Sequence, residues 1–237
     1  MKKLLFVLLS VAFSVASVQG QNWLTLKGGG GLALFPGYSG SQSGISINSG
    51  LGYKHQISKR MILEGDILLD TRAYQVPTNV FDADNNMIYF DAGGTYIQVP
   101  LTVHYNAPFR KKELVPYVVG QPNSAFFVEG GPYVSYGLSV SSFADPVVVA
   151  TWAAADDPIA ESNLTPRALD VGITAGFGVN FGFSETLNRL SIGARANYGL
   201  LNVYKDNRLG SGNNMSAVGY IAFDFALTKR RHIKYRW

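Results

Sequence analysis

The chain of 237 residues has no cysteine, little charge and a single long apolar run. Without cysteine, neither a disulfide framework nor a thiolate metal site is available. Charged residues make up 15% of the chain, against about 25% in a soluble globular domain. The one apolar run lies at the N-terminus, which excludes a membrane protein with several helical spans. The sequence is nevertheless 47% hydrophobic, with 14 Phe and 13 Tyr, and this content excludes disorder.

The first twenty residues have the layout of a secretory signal peptide. Lys2 and Lys3 precede an apolar stretch, and the segment ends in Val18-Gln19-Gly20. Small residues one and three positions before a cleavage point are typical of such signals. An alternative is a membrane-anchoring helix, but the run is short for a span of ~20 residues. We therefore predict removal of 1–20 after Gly20 and export of the remaining chain.

From Trp23 to Leu227 the sequence alternates between apolar and polar residues, with turn-rich connections between the alternating segments. This period of two is typical of β-strands, and no segment has a convincing helical period. The class is therefore all-β. We predict eight strands, at about 22–35, 45–57, 61–74, 91–105, 125–140, 167–183, 190–203 and 215–228.

Charge lies on one side of this alternation. In the third segment, Ile67 and Leu69 fall on one face, and Asp66 and Asp70 on the other. Successive side chains of a strand point to opposite faces, so the charges share one surface of the sheet. The charged face carries Lys27, Lys54, Glu64, Asp66, Asp70, Arg72, Glu129, Asp170, Arg195 and Asp224.

Two folds fit this pattern. In a soluble sandwich the apolar face is the core, whereas in a membrane barrel it faces lipid and the polar face lines the interior. Three features favour the barrel. The polar face is rich in glycine, as a narrow interior requires. Connections alternate between short and long, except for the long segment 106–124. Outward aromatic residues collect at one strand end: Tyr53, Tyr105, Phe126, Phe181, Phe183 and Phe225.

We therefore predict an eight-stranded antiparallel up-and-down transmembrane β-barrel over residues 21–228. Lipid offers no hydrogen bonds to the backbone, so a sheet that spans it must close on itself. Segments 75–90, 141–166 and 204–214 are expected to be the long outer connections. A basic tail, 229–237, should lie in the periplasm.

Several strings resemble PorT-like outer-membrane β-barrel proteins. They are Tyr96-Ile97-Gln98-Val99-Pro100-Leu101-Thr102-Val103-His104-Tyr105, Phe127-Val128-Glu129-Gly130-Gly131-Pro132-Tyr133, Gly176-Phe177-Gly178 and Tyr198-Gly199-Leu200-Leu201-Asn202. Segment 107–124 looks like an insertion relative to that family. The resemblance implies a Gram-negative outer-membrane barrel but no known activity. The residues that carry it are Tyr96, Pro100, Tyr105, Gly131, Pro132, Tyr133, Gly199 and Asn202.

Pro100 and Pro132 fall inside predicted neighbouring strands. A closed barrel has no edge strand, so each proline removes one hydrogen-bond donor from a ladder. We expect a local bulge or break between the fourth and fifth strands.

The sequence offers little for catalysis. The three histidines, His55, His104 and His232, are not expected to converge, and a base must lie within reach of its nucleophile. His104 is expected to be a packed or interfacial side chain. Asp82, Asp84 and Asn86 have calcium-loop spacing, but Met87 stands where the loop needs glycine. We predict no catalytic, cofactor or metal residues, and hence no enzyme.

The inward charges have two interpretations. The first is an ion-paired plug that keeps the barrel rigid, because opposite charges in a low-dielectric interior must pair. The second is a narrow, porin-like path that prefers cations, or a small-ligand pocket. Eight strands leave an interior just wide enough for side chains, which favours the plug.

Function should then reside outside the lumen. The first hypothesis is a structural or surface-interaction protein acting through its outer loops. The second is the passage or pocket, and the third is membership of a secretion or assembly complex through 107–124 or 229–237. Outer-membrane lipid and the barrel assembly machinery are expected partners, and a periplasmic protein is a candidate one. No nucleic acid is expected.

Overall fold

The computed structural model describes residues 21–36, 41–58, 60–81, 84–109, 124–143, 166–183, 187–204 and 212–227. The predicted signal peptide, the tail, and most of 107–124 and 141–166 lie outside these residues. The described chain forms eight strands: β1 (Asn22–Leu34), β2 (Gly44–Gln56), β3 (Met61–Phe81), β4 (Met87–Pro108), β5 (Ser124–Phe143), β6 (Leu169–Gly182), β7 (Arg189–Asn202) and β8 (Asn213–Ala226).

Every strand pairs antiparallel with its neighbour in sequence, and β1 also pairs with β8. The closing ladder runs from Trp23↔Ala226 to Leu34↔Met215. The sheet is therefore a closed up-and-down barrel, which confirms the predicted fold class. The end with the start of β1 and the end of β8 is called the periplasmic end below, following the sequence prediction, and the opposite end is the outer end.

The two faces of the barrel differ as the alternation predicted. On β3, Ile67 is 64% exposed on the outside, whereas Glu64 and Asp70 are fully buried on the inside. A soluble sandwich would bury this apolar face in its core, so the outward apolar surface excludes that alternative. Such a surface is typical of a sheet that faces lipid.

No helix among the described residues is long and apolar enough to cross a membrane.

The strands fall into two length classes. Five strands, β1, β2, β6, β7 and β8, have 13 or 14 residues. At ~3.3 Å per residue and a tilt of about 45°, this length spans a bilayer core of about 30 Å. In contrast, β3, β4 and β5 have 21, 22 and 20 residues. Their additional residues project beyond the outer end as a small sheet, the outer extension, formed by 73–81, 87–95 and 138–143.

The prediction of a long connection at 75–90 is therefore wrong. Strand β3 continues to Phe81 and β4 starts at Met87, so the hairpin turns between these two residues. Asn85 adopts the left-handed conformation there, with φ 64°, which asparagine tolerates better than most residues. Beyond the lipid neither face of a strand has to be apolar, so the alternating pattern fades although the strand continues.

The two prolines interrupt two different ladders. Between β3 and β4, the pairing skips Asp66, opposite Pro100, and Ile67, opposite Val99. Between β4 and β5, they skip the positions opposite Pro132 and Gly131. The register is the same on both sides of each gap, so the prolines cause breaks without a bulge. The expected break between β4 and β5 therefore belongs to Pro132 alone, because the missing donor of Pro100 points toward β3.

A register shift does occur higher on the same pair of strands. Thr95 pairs with Ser139 and Tyr96 pairs with Gly137, which leaves Leu138 as an extra residue on β5. Bulges of this kind bend a strand and increase its twist. This one lies where the outer extension leaves the barrel.

Outward aromatic side chains ring the periplasmic end. Those predicted to lie there are each at least 41% exposed: Tyr53, Tyr105, Phe126, Phe181, Phe183 and Phe225. Aromatic rings favour the interface between lipid and water. This ring therefore suits the inner edge of the membrane-facing band.

Candidate functional site: the lumen of the barrel

All ten charged residues assigned to the polar face lie inside the barrel. None is more than 6% exposed. They are contributed by seven of the eight strands, and two further residues, His104 and Arg189, join them. The inner charges divide into a lower cluster in the periplasmic half and an upper cluster near the outer end.

The lower cluster is centred on Glu64. Lys27 Nζ lies 3.1 Å from Glu64 Oε1 and 2.8 Å from Asp66 Oδ2. Lys54 Nζ lies 3.4 Å from Glu64 Oε1 and 2.9 Å from Asp224 Oδ1. These contacts join β1, β2, β3 and β8, so each lysine bridges two carboxylates from different parts of the wall.

Arg195 crosses the lumen from β7. Its Nε and Nη2 donate to the two carboxylate oxygens of Glu129, at 2.7 and 3.0 Å, and Nη1 donates to Asp66 Oδ2 at 3.2 Å. Two-point binding of this kind fixes both groups and is stronger than a neutral hydrogen bond. The ring of Tyr220 lies 5.4 Å from the guanidinium carbon, and its hydroxyl donates to Glu129 at 3.3 Å.

Arg189 closes the periplasmic end, and the sequence analysis missed it. Its Nη2 lies 3.1 Å from Asp224 Oδ2, and its guanidinium lies 3.9 Å from the centre of the Trp23 ring. Trp23 donates its Nε1–H to the carbonyl of Leu187 at 2.8 Å. The parity of β7 pointed to Arg189, because it is two residues before inward Ser191. The predicted strand at 190–203 starts one residue too late to include it.

His104 is also a member of the lower cluster rather than only a packed side chain. Its Nε2 lies 2.5 Å from Glu64 Oε2 and 3.0 Å from Glu129 Oε2, while its ring stacks on Phe127 at 5.4 Å. The ligand atoms of Glu64, His104 and Glu129 lie within 4.8 Å of one another, as in a metal site.

The charge balance of the lower cluster argues against a divalent ion there. Lys and Arg side chains already contact both carboxylates. Besides the histidine, the cluster contains four acidic and four basic side chains: Glu64, Asp66, Glu129 and Asp224, and Lys27, Lys54, Arg189 and Arg195. A divalent ion would leave an excess of two positive charges in a low-dielectric interior. The arrangement favours a network of ion pairs.

The upper cluster consists of Arg72, Asp70 and Asp170. Arg72 Nε donates to Asp70 Oδ2 at 2.7 Å, and its Nη1 lies 3.6 Å from Asp170 Oδ2. That oxygen also accepts from the Tyr133 hydroxyl at 3.0 Å and from Asn214 Nδ2 at 3.4 Å. The guanidinium carbon of Arg72 lies 5.5 Å from the Tyr96 ring centre.

The residues of the family resemblance have separate positions. Tyr96 and Tyr133 belong to the upper cluster, and Gly199 packs against Asp170. The backbone of Gly131 closely approaches Leu101, beside the gaps at Pro100 and Pro132. Tyr105 faces outward, and its hydroxyl accepts from Arg60 at 2.9 Å. Asn202 Oδ1 accepts from the backbone N–H groups of Tyr204 and Gly212, both at 3.3 Å.

An aromatic cap covers the upper cluster. Phe35 stacks on Tyr74 at 5.2 Å and meets Tyr204 edge-on at 5.7 Å, and Phe90 lies 6.2 Å from Tyr204. All four rings are at most 3% exposed. The lumen is thus filled from the Trp23–Arg189 contact at one end to the aromatic cap at the other.

One buried histidine contact has the form of a catalytic pair. The Thr102 hydroxyl lies 3.2 Å from His104 Nε2, a contact that an activated nucleophile needs. Both residues are at most 3% exposed, so a substrate does not reach them. His55 lies apart, with its Nδ1 2.6 Å from Asn22 Oδ1, and His232 lies outside the described residues.

Comparison with known proteins identifies a family and several similar folds. The family model described as "Outer membrane protein beta-barrel domain" matches residues 36–205. No curated protein matches the sequence. Among solved structures, the N-terminal β-barrel domain of Pseudomonas aeruginosa OprF is 13% identical, with a TM-score of 0.37, and the match covers 87% of this chain and 100% of that one.

Two further solved structures are similar. Neisserial surface protein A is 10% identical, with a TM-score of 0.46, over 86% of this chain and 96% of that one. Ail of Yersinia pestis is 11% identical, with a TM-score of 0.39, over 88% of this chain and 100% of that one.

Proposed function

Because the chain belongs to the family of outer membrane protein β-barrel domains, we propose that this outer-membrane barrel is closed and non-catalytic. It acts as a structural or surface-interaction protein through its outer extension and outer loops. The observation that carries this proposal is the filled lumen, in which ion pairs join opposite walls and no inner charge is more than 6% exposed.

The filled lumen argues against a passage. Arg195 of β7 reaches Asp66 of β3 across the interior, and Lys27 links the same Asp66 to Glu64. A hydrated ion would have to separate these buried pairs, and removing one partner from such a pair costs about 3–5 kcal/mol. The aromatic cap presents a second barrier at the outer end.

The outer extension supports a role in contact with other molecules. It projects beyond the five shorter strands and carries exposed apolar side chains, notably Phe81 at 51% and Phe143 at 74% exposure. Exposed aromatic residues on a rigid sheet are suited to binding because they lose little conformational entropy. The earlier hypothesis placed these contacts in loops, and the extension offers a preformed sheet for the same role.

Planar-bilayer recording tests the closed lumen. The purified barrel should insert without reproducible conductance steps. The same recording is made with Arg195→Ala, which removes the side chain that crosses the lumen. If the unmodified protein conducts, and the size of its steps changes in Arg195→Ala, the porin-like passage is the correct function.

Adhesion tests the surface role. Cells that display the Phe81→Ser/Phe143→Ser variant should adhere less to a protein-coated surface than cells with the unmodified barrel, at equal surface levels. Asp91→Asn is the matched control, because Asp91 lies on the same extension but is polar, with its hydrogen bond to Gln75 at 2.9 Å. Equal adhesion of all three would contradict the surface role.

We further propose that the chain is a PorT-like member of its family. The support is that the residues carrying the resemblance meet one ion pair: Tyr96 contacts Arg72, and Tyr133 and Gly199 contact Asp170. If PorT-like sequences lack an arginine and an acidic residue at the equivalent inward positions, this assignment is wrong.

A further inference from the structure

The upper cluster carries a buried negative charge that the described residues do not balance. Asp70 and Asp170 face a single cation, Arg72, among the described residues within ion-pair distance. The lower cluster cannot compensate, because its four carboxylates and four cations already balance. Asp66 and Asp70 are also four residues apart on β3, about 13 Å at the rise of a strand. A buried carboxylate without a compensating charge is costly.

Three neighbouring inward side chains next to this charge have polar atoms without a hydrogen-bond partner among the described residues. They are Asp170 Oδ1, Ser135 Oγ, and both polar atoms of Gln98. Each residue is at most 2% exposed. Native proteins satisfy more than 90% of buried polar groups. Other inward atoms, among them Thr174 Oγ1 and Asn197 Oδ1, also lack a partner among the described residues, but these three residues are neighbours that lie beside the unbalanced charge, and this combination points to a ligand.

The strand register places these three residues side by side. Gln98 pairs with Ser135 between β4 and β5, and Ser135 pairs with Asp170 between β5 and β6. Directly paired residues have their Cα atoms about 5 Å apart. The three side chains therefore form a continuous row of potential oxygen ligands across β4, β5 and β6 on the inner wall. Asp170, at the β6 end of this row, is the second residue of its strand.

We propose that this row binds one alkali-metal cation, with Na⁺ as the reference ion. Asp170 Oδ1, Ser135 Oγ and Gln98 Oε1 are hard oxygen ligands, which suit a hard cation. One positive charge brings the upper cluster to neutrality, whereas a divalent ion would leave it with an excess of one. Na⁺ is thus favoured by both ligand type and charge.

The surroundings of Asp170 leave one of its oxygens available. Tyr133, Asn214 and Arg72 all contact Oδ2, and the backbone N–H of Val171 also approaches the carboxylate. Oδ1 has no hydrogen-bond partner among the described residues, so it is the oxygen available to a cation. On the other side, a Cβ atom at Gly199 would lie 2.7 Å from Oδ1 and 2.8 Å from Oδ2. Glycine at 199 therefore allows the carboxylate to lie against the β7 backbone.

The site lies at the outer end of β6, beneath the aromatic cap, so a cation from outside the cell reaches it only when the cap opens. Below it, the lower cluster fills the lumen, so the ion binds without crossing. The site does not depend on the surface role of the outer extension, and failure of one proposal leaves the other unaffected.

Urea unfolding of the folded barrel in zwitterionic vesicles tests the cation site. The unfolding midpoint is measured in increasing NaCl and in N-methyl-D-glucamine chloride of equal ionic strength. We expect a higher midpoint in NaCl that saturates with concentration. Asp170→Asn should abolish this difference. Ser135→Ala should raise the half-saturating Na⁺ concentration by about fivefold, the effect of losing one neutral ligand contact.

Asp91→Asn is the control, because it removes an acidic group outside the lumen and should keep the full Na⁺ effect. Equal midpoints in the two salts for the unmodified barrel would overturn the proposal. A full Na⁺ effect in Asp170→Asn would also overturn it. If Asp170→Asn does not fold, Ser135→Ala decides, and an unchanged half-saturating concentration contradicts the site.

Discussion

At the scale of single residues, the interior depends on pairing a large side chain with a glycine. Gly172 leaves room for the ring of Tyr133, and Gly178 leaves room for Phe127. An added Cβ would lie 2.5 Å from the Tyr133 ring and 2.6 Å from Phe127 Cζ. The glycine-rich polar face thus has a physical cause, because eight strands enclose too little space for a side chain at every inward position.

Gly172→Ala should therefore destabilise the barrel. The methyl group would overlap the Tyr133 ring and the Tyr198 carbonyl, and overpacking of this kind costs about 1–3 kcal/mol. Gly28→Ala is the matched control, since nothing lies within 4 Å of its Cβ position. Urea unfolding measures both, and equal free energies of unfolding would show that the interior can expand at this point.

Arg195→Ala should destabilise more strongly, because it leaves Glu129 and Asp66 without their shared cation. Breaking a buried ion pair costs about 3–5 kcal/mol. Arg60→Ala removes an exposed arginine, whose contact is the Tyr105 hydroxyl, and should cost less than about 1 kcal/mol. The same unfolding measurement compares the two. If Arg195→Ala lowers the free energy of unfolding by less than Arg60→Ala does, the ion-pair network of the lower cluster contributes no stability.

At the scale of elements, the prolines weaken one patch of the wall. The gap opposite Pro100 and the gap opposite Pro132 lie in neighbouring ladders on either side of β4. Each proline lacks the N–H that its partner strand would accept. Strand β4 is therefore held less tightly there than elsewhere, although its register is unchanged.

Pro100→Val should fold and gain up to about 1 kcal/mol, the net value of one additional hydrogen bond. The new N–H of residue 100 donates toward β3, so its own amide should exchange slowly, and exchange should also slow in β3 around Asp66 but not in β5. Mass-spectrometric hydrogen exchange on the assembled barrel measures this. Failure of the variant to assemble would indicate that the gap at Pro100 is required for folding.

At the scale of the whole molecule, closure of the sheet leaves no free strand edge in the membrane-facing barrel. Such barrels resist detergent because unfolding must break the ladders together. The protein should fractionate with the outer membrane and migrate faster on SDS gels before boiling than after it. A soluble periplasmic protein without this shift would contradict the membrane assignment.

The roles of the signal peptide, the basic tail and the insertion remain predictions. The signal peptide, the basic tail 229–237 and most of the insertion 107–124 lie outside the described residues. If the tail or the insertion docks a periplasmic protein, deleting that segment should remove the protein from the purified barrel. Unchanged co-purification would exclude such docking.

The sequence by itself determined the number of strands, their order along the chain and the face on which each side chain lies. These follow from the period of two in a pleated strand, because lipid requires apolar residues at every second position. The parity of β3 therefore placed Glu64, Asp66 and Asp70 inside without any tertiary information. Where lipid no longer acts, in the outer extension, the same rule failed to detect the continuing strands.

Only the tertiary structure decided which charges pair. Lys27 meets Asp66 across β2, and Arg195 meets the same carboxylate from the far wall. These partners depend on closure between β1 and β8 and on the stagger of the ladders, which parity does not contain. The same applies to His104 between Glu64 and Glu129. Parity gives the direction of a side chain, whereas the depth at which it meets another is a property of the closed barrel.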